Sequence, residues 1–345
     1  MKRAAVGLLA IFAGTAIPAA AQDYTIVALS HTSNGIHEID PATGKILKEY
    51  LVPDEWVGEP HEGAITADGK VVYASIPYKK QVIALDGDTF KPIKIIESEY
   101  FARPLETRSF VRVGRRETTS ADPHGLALNN DGSKLYITLE FAEVPGIAVY
   151  DVKAGRVTKK IDTVVPGNYL QVQPGTDKLY FPTRDDRVLV IDTKTDRVIR
   201  VIRVQGAPNG VDFAANGEVW VNANRDGTVS VIDSTSDQVV KVIQTNGKGT
   251  GRIAVSPNGR LVAATFGVSG DVHVIDAASR AVMAVLPVST GGQGFPLFSP
   301  DSSTLFMMNE GPGELSVYDM KTMKELPRRT PIGGASFGGG LRKRR

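Results

Sequence analysis

Three histidines, His31, His61 and His124, are the residues of this chain best suited to chemistry. The 345-residue sequence has five histidines and no cysteine, so imidazoles are its soft metal ligands and its groups that titrate near neutral pH. Together with a carboxylate, Glu62 or Glu140, the three histidines could hold a divalent metal that polarises a carbonyl or activates water. Alternatively, His61, His124 and Glu140 form a catalytic set in which one histidine is the general base of a hydrolysis or elimination. A third reading gives them no chemistry and leaves them as polar side chains that bridge water. Asn168, Asn209 and Asn224 suit the orientation of a bound ligand, and the forks of Arg108, Arg112 and Arg184 suit its negative charge. Copper redox chemistry is a weaker fourth option, because no thiolate is available to complete a three-histidine set.

These residues are scattered from position 31 to position 224, so only a repeating architecture can gather them. One phrase recurs: a β-branched run, Asp, a polar turn and a second β-branched run, as in VLVIDTKTDRVIRVI from Val188 and VSVIDSTSDQVVKVI from Val229. The anchoring aspartates are Asp40, Asp86, Asp151, Asp192, Asp233, Asp276 and Asp319, spaced by 46, 65, 41, 41, 43 and 43 residues. A second half-unit also recurs: a small-residue strand, a tight turn and another strand, as in HGLALNNDGSKLYIT from His124 and NGVDFAANGEVWVNA from Asn209. Its turns, Asp68-Gly69, Asp131-Gly132, Asn216-Gly217 and Asn258-Gly259, supply the positive φ that a tight hairpin needs. Each full unit reads as a four-stranded sheet that buries both faces only by stacking on its neighbours.

The predicted fold is therefore all-β: a seven-bladed β-propeller of four-stranded antiparallel blades. Tyr24–Ser30 matches the second strand of a unit, and Gly333–Gly338 is left over at the far end. The C-terminal strand is thus expected to complete the first blade and close the ring. The propeller is assigned to residues 22–340, and Leu341–Arg345 is expected to be a frayed basic tail.

The runs Leu135-Tyr136-Ile137-Thr138 and Val219-Trp220-Val221-Asn222, with the V-x-V-I-D phrases, make the chain resemble the YVTN-repeat family of seven-bladed propellers. In architecture it is similar to lactonase-like and SMP-30-like propellers. The resemblance covers nearly all of residues 22–340 and implies fold more than activity, since propellers host binding proteins, lyases, hydrolases and redox subunits. The acidic metal set of SMP-30-like lactonases is not reproduced, because glycines stand at two of the inner-strand positions, Gly251 and Gly294.

In a propeller, aligning the copies places His61, His124, Asn168, Asn209, Gly251 and Gly294 at the entrance of each inner strand. The second-to-third strand loops, on the same face, add His31, Glu140, Arg184 and Asn224. His37 and His273 fall on third strands, away from the axis, as surface or packing residues. The 65-residue gap holds an insertion, about 98–121, between blades 2 and 3. Its arginines, Arg108 and Arg112 among them, read either as a cationic lid over the mouth or as a solvated variable loop.

Lys+Arg 40 against Asp+Glu 38 leaves a net charge of +2, too balanced for binding nucleic acid by bulk charge. Met1-Lys2-Arg3, the apolar run to Ile17 and the A-x-A site at Ala19–Ala21 read as a secretory leader spanning 1–21. The mature chain is expected to be periplasmic or secreted, without a membrane span. No G-x-S-x-G, H-E-x-x-H, Walker or C-x-x-C-H pattern occurs, which excludes the common hydrolase, zincin and paired-cysteine haem plans. Two functions fit these features. One is binding of a small, anionic ligand at the channel mouth, with metal- or histidine-assisted hydrolase or lyase activity as its catalytic form. The other is a non-catalytic scaffold for a periplasmic protein.

Overall fold

The computed structural model describes residues 23–30, 33–53, 60–101, 110–113, 116–119, 122–288, 294–333 and 336–344, with backbone alone at 78, 110–113, 116–119, 336 and 337. The leader (1–21), His31 and Arg108 lie outside the described residues, as does the side chain of Arg112.

Each recurring aspartate ends a third strand and shapes the turn that follows. Asp192 Oδ1 accepts the N–H groups of Lys194 (2.9 Å) and Thr195 (2.7 Å) and the Thr195 hydroxyl (3.0 Å). Asp86, Asp233, Asp276 and Asp319 engage the backbone and hydroxyl of the Ser or Thr three residues on in the same way. The next residue enters the left-handed region, with φ of 53° at Asp196, 55° at Asp237, 62° at Arg280 and 54° at Met323. The chain then reverses into an outer strand, because this side-chain bonding competes with continuation of the ladder. The same donors hold the Asp192 carboxyl below its ordinary pKa, the Thr195 N–H most of all.

Seven four-stranded antiparallel sheets result, arranged as the blades of a propeller. The inner strands of blades 2 to 7 are Gly63–Ile65, Leu126–Leu128, Gln171–Val172, Pro208–Phe213, Ile253–Val255 and Gly294–Phe298. Second and third strands are sandwiched between neighbouring blades, so runs such as Val188-Leu189-Val190-Ile191 are buried throughout rather than alternating. Outer strands have one wet side, and Ala281–Pro287 alternates exposed and partly covered residues for most of its length.

Polar ties join three consecutive pairs of blades. The first residue of a second strand reaches the left-handed turn residue of the next blade. Lys134 bonds Asp196 (2.9 Å), and Lys178 bonds Asp237 (2.7 Å). In the next pair the polarity is reversed: Glu218 meets Arg280, whose guanidinium lies 4.7 Å from the Trp220 ring centroid.

The ring is closed by the C-terminal strand, Ser336–Lys343, which pairs antiparallel with Tyr24–Ser30 from Tyr24↔Lys343 to Ser30↔Ser336. The latch therefore begins three residues later than the expected Gly333–Gly338 and runs past residue 340. The segment expected as a frayed basic tail is strand as far as Lys343. Arg342 explains the correction: it is 4% exposed, bonding Glu38 (2.7 Å), Asp88 and the Gly69 carbonyl (2.9 Å). The inserted segment between blades 2 and 3 contains a hairpin, Phe110–Val113 with Arg116–Thr119.

His37 and His273 sit on third strands as packing residues. His37 is buried with Nδ1 3.0 Å from Glu49, and His273 lies edge-on to Phe266 at 5.1 Å. Among the described residues no helix is long and apolar enough to cross a membrane.

Candidate functional site

One device sets the entrance of the inner strands. A short polar side chain on the second strand accepts the N–H of the residue just after four of the six entrance positions. Ser75 Oγ takes the Glu62 N–H (3.0 Å), Thr138 Oγ1 that of Gly125 (2.6 Å), Asn222 Oδ1 that of Gly210 (2.8 Å) and Thr265 Oγ1 that of Arg252 (2.7 Å). Each acceptor is buried and also touches the backbone: Thr138 donates to the Asn168 carbonyl of the next blade (3.1 Å), and Thr265 to that of Gly294 (2.9 Å). This is the physical role of the Thr and Asn that end the L-Y-I-T and V-W-V-N runs. Gly125 is small for the same reason, since a Cβ there would stand 2.3 Å from the Asn168 carbonyl oxygen.

The structure brings His61, His124, Glu140, Asn168 and Arg184 together at the mouth. The two imidazoles are each 7% exposed, with ring centroids 4.1 Å apart and planes inclined by 45°. His124 Nδ1 lies 3.1 Å from the Asn168 amide nitrogen and 3.6 Å from Glu140 Oε2. Asn168 also donates to Glu140 Oε2 (3.0 Å), while the Arg184 guanidinium engages Glu140 Oε1. Glu140 is held from behind by Asp122, whose carboxylate accepts the N–H groups of Glu140 (2.7 Å) and Phe141 (3.0 Å). Burial pushes the Asp122 carboxyl up to about 7 against the pull of the Phe141 and Ala142 N–H groups.

Asn209 and Asn224 are placed differently. Asn209 donates to the Gly251 carbonyl (2.8 Å), and Asn224 Oδ1 accepts the Gly251 N–H (3.2 Å). They clamp the entrance of blade 6 and so position its next residue, Arg252. That arginine, absent from the sequence-derived set, organises the axis. It crosses the channel from blade 6 to bond Glu62 of blade 2, reaches Asn168 Oδ1 (3.3 Å), and stacks 4.8 Å from the Tyr169 centroid. Both Arg252 and Glu62 are nearly fully buried. Burial raises the Glu62 pKa, and Arg252 opposes the shift. The pair was legible one column beyond the entrance residues, which reads Glu62, Gly125, Tyr169, Gly210, Arg252 and Phe295: one acid and one base.

The mouth is thus a connected chain, Glu62–Arg252–Asn168–Glu140–Arg184, with His124 on its middle members and His61 against His124. Two arginines balance two carboxylates. Arg184 has 57% of its side chain exposed, while the pairing carboxylate of Glu140 is 1% exposed. Burial and the charge of Arg252 lower the pKa of Arg184. Among the described residues no group of three or more His, Asp or Glu side chains is arranged to hold a metal ion. Of the expected metal set, His61 and His124 are adjacent, and His31 is outside the described residues.

No protein-family model matches this sequence, and no curated protein matches it. Among solved structures, the chain is similar to Kuenenia stuttgartiensis hydrazine synthase, at 17% identity and a TM-score of 0.68, over 84% of this chain and 91% of that one. It is also similar to a functionally unknown protein from Desulfotomaculum acetoxidans, at 13% identity and a TM-score of 0.70, over 93% of this chain and 99% of that one. At such identities the likeness shows the fold alone, a seven-bladed β-propeller.

Proposed function

We propose that this chain is an exported, YVTN-type propeller that binds a small anionic molecule at the channel mouth. One observation carries the reading: Arg184 is a half-exposed guanidinium beside a second, buried arginine, in a network whose other charged members are sealed. A carboxylate or phosphate arriving from solvent meets Arg184 first and can share its fork with Glu140. His124, oriented by Glu140 and Asn168, stands where it would hydrogen-bond the ligand or serve as a base in a histidine-assisted hydrolysis or elimination. Export rests on the leader layout of residues 1–21.

The test is thermal melting with phosphate, acetate, succinate and citrate. At least one should raise the melting temperature of the wild type, and Arg184→Gln should reduce that shift by most of its size. No shift with any anion, at concentrations up to tens of millimolar, would refute the reading.

A second reading, a non-catalytic scaffold for a periplasmic protein, is favoured by the pairing itself. Each mouth carboxylate already faces an arginine, so the network is satisfied without a ligand. Metal analysis of untagged protein, alongside His61→Ala and His124→Ala, separates this from a metal-assisted enzyme. Stoichiometric metal lost in both variants would favour the enzyme.

A further inference from the structure

Among the described residues, the outer strand of every blade lies last in its sheet, so the rim of the propeller carries seven open strand edges. In blades 1 to 7 these are Ile46–Leu51, Pro92–Ile96, Arg156–Asp162, Arg197–Arg203, Gln238–Gln244, Ala281–Pro287 and Lys324–Pro331. An open edge invites another strand, and a cation on it discourages that pairing. The repeat supplies such a cation at one fixed place, eight residues after the anchoring aspartate: Lys48, Lys94, Lys159, Arg200 and Lys241 in blades 1 to 5. Arg328 stands one residue later in blade 7. In blade 6 the same place is Ala284, and Ala281–Pro287 (AVMAVLP) has no charged residue. The register shift beside the third strand, which also blunts an edge, occurs in all seven blades and does not distinguish this one.

The uncharged edge is also apolar where it meets water. Met283 is 54% and Val285 52% exposed, and the matching residues of blade 5, Val240 and Val242, are exposed beside them. The strand is complementary to itself. Antiparallel pairing centred on Ala284 sets Met283 of each copy opposite Val285 of the other on the wet face, and Val282 opposite Leu286 on the inner face. Two small alanines meet at the centre, and no like charges face each other. The same pairing of blade 2, 4 or 5 with itself would bring Lys94, Arg200 or Lys241 against its own copy.

We propose that this edge binds a second copy of the chain: the outer strands of blade 6 pair across a twofold axis at Ala284, joining two propellers rim to rim through an eight-stranded sheet. That axis runs normal to the joined sheet, along the rim, so the blade 5 edges of the two copies also face each other and Val240 and Val242 extend the apolar strip. The inference is independent of the anion reading, since no residue of the mouth takes part.

The experiment is analytical ultracentrifugation of the purified protein over a range of concentrations. The wild type should sediment as a dimer at tens of micromolar and dissociate on dilution. Ala284→Lys, which copies the other blades, should weaken association about tenfold or more while the circular dichroism spectrum stays that of the wild type. Ile95→Lys, at the blade 2 position that matches Val285, should leave the dimer intact. Because the chain has no cysteine, Ala284→Cys should give a disulfide-linked dimer under mild oxidation, and Lys94→Cys should not. Opposed residues of antiparallel strands, with Cα atoms about 4.5–5.5 Å apart, are within reach of that bond. A monomer at every concentration, a dimer indifferent to Ala284→Lys, or growth beyond the dimer would overturn the proposal. Should Ala284→Lys fail to fold, the cross-linking comparison decides alone.

Discussion

Asp122 shows how a single residue can tie site geometry to pH. Its carboxyl is fully buried and its folded pKa, about 7, stands above the ordinary value of 3.8. A carboxyl raised in this way contributes stability that is fully present below its unfolded pKa and is lost as pH rises through the folded value. Asp212, raised to about 6, acts in the same direction. Between pH 5 and pH 8 the wild type should therefore lose melting temperature on this account. Asp122→Asn keeps an acceptor oxygen for the Glu140 and Phe141 N–H groups and cannot ionise. Its melting temperature should fall less over that interval than the wild type's, as scanning calorimetry at both pH values would read. An equal or steeper fall in the variant would show that Asp122 is not raised. The functional counterpart at this scale is Arg184→Gln, which should lose anion-dependent stabilisation and, because it leaves the buried Glu140 carboxylate without its cation, should also cost the ligand-free protein roughly 1–3 kcal/mol.

At the scale of elements, two recurring ties invite tests because the repeats supply internal controls. Thr138 joins the inner strand of its own blade to the entrance of the next, through the Gly125 N–H and the Asn168 carbonyl. Thr138→Val keeps the shape but leaves both groups buried without that partner, at a cost of roughly 1–3 kcal/mol. Chemical denaturation should show that loss, and the anion response should weaken with it because Asn168 is displaced. The reversed pair Glu218–Arg280 makes a second prediction. Glu218→Lys should destabilise by placing like charges together beside Trp220, and the double variant Glu218→Lys with Arg280→Asp, which copies the Lys178–Asp237 pair, should recover much of the loss. Absence of recovery would mean that the stacking of Arg280 on Trp220 outweighs its charge.

For the molecule as a whole, stability depends on closure. There is no disulfide to hold the ends, and Tyr24–Ser30 would present a bare edge without Ser336–Lys343. Removing residues 336–345 should yield protein that aggregates or melts without cooperativity, seen by size-exclusion chromatography and calorimetry. Arg342→Ala is the finer probe. It leaves Glu38, 1% exposed, with one fewer cation and should cost on the order of 3 kcal/mol. Wild-type stability in either variant would show that the latch is dispensable.

What the sequence determined by itself is whatever repeats. The Asp-anchored turns, restated seven times, and the N/D-G hairpins, present in four units, are local rules, so they specify blades, their number and the face on which His61, His124, Asn168 and Arg184 gather. Leu341–Lys343 was misjudged because a basic terminus looks solvated until its acidic partners are known. Glu38 and Asp88 lie about 300 and 250 residues away in the chain. The tertiary structure alone decided which mouth residues pair across the axis. Arg252 and Glu62 are 190 residues apart and meet only because closing the ring points both inward. Asn209 and Asn224, equivalent to their counterparts by repeat position, turn instead to the backbone of Gly251. Periodicity carries position around a ring, but the partner a side chain finds there depends on long-range packing and on charges that no local pattern contains.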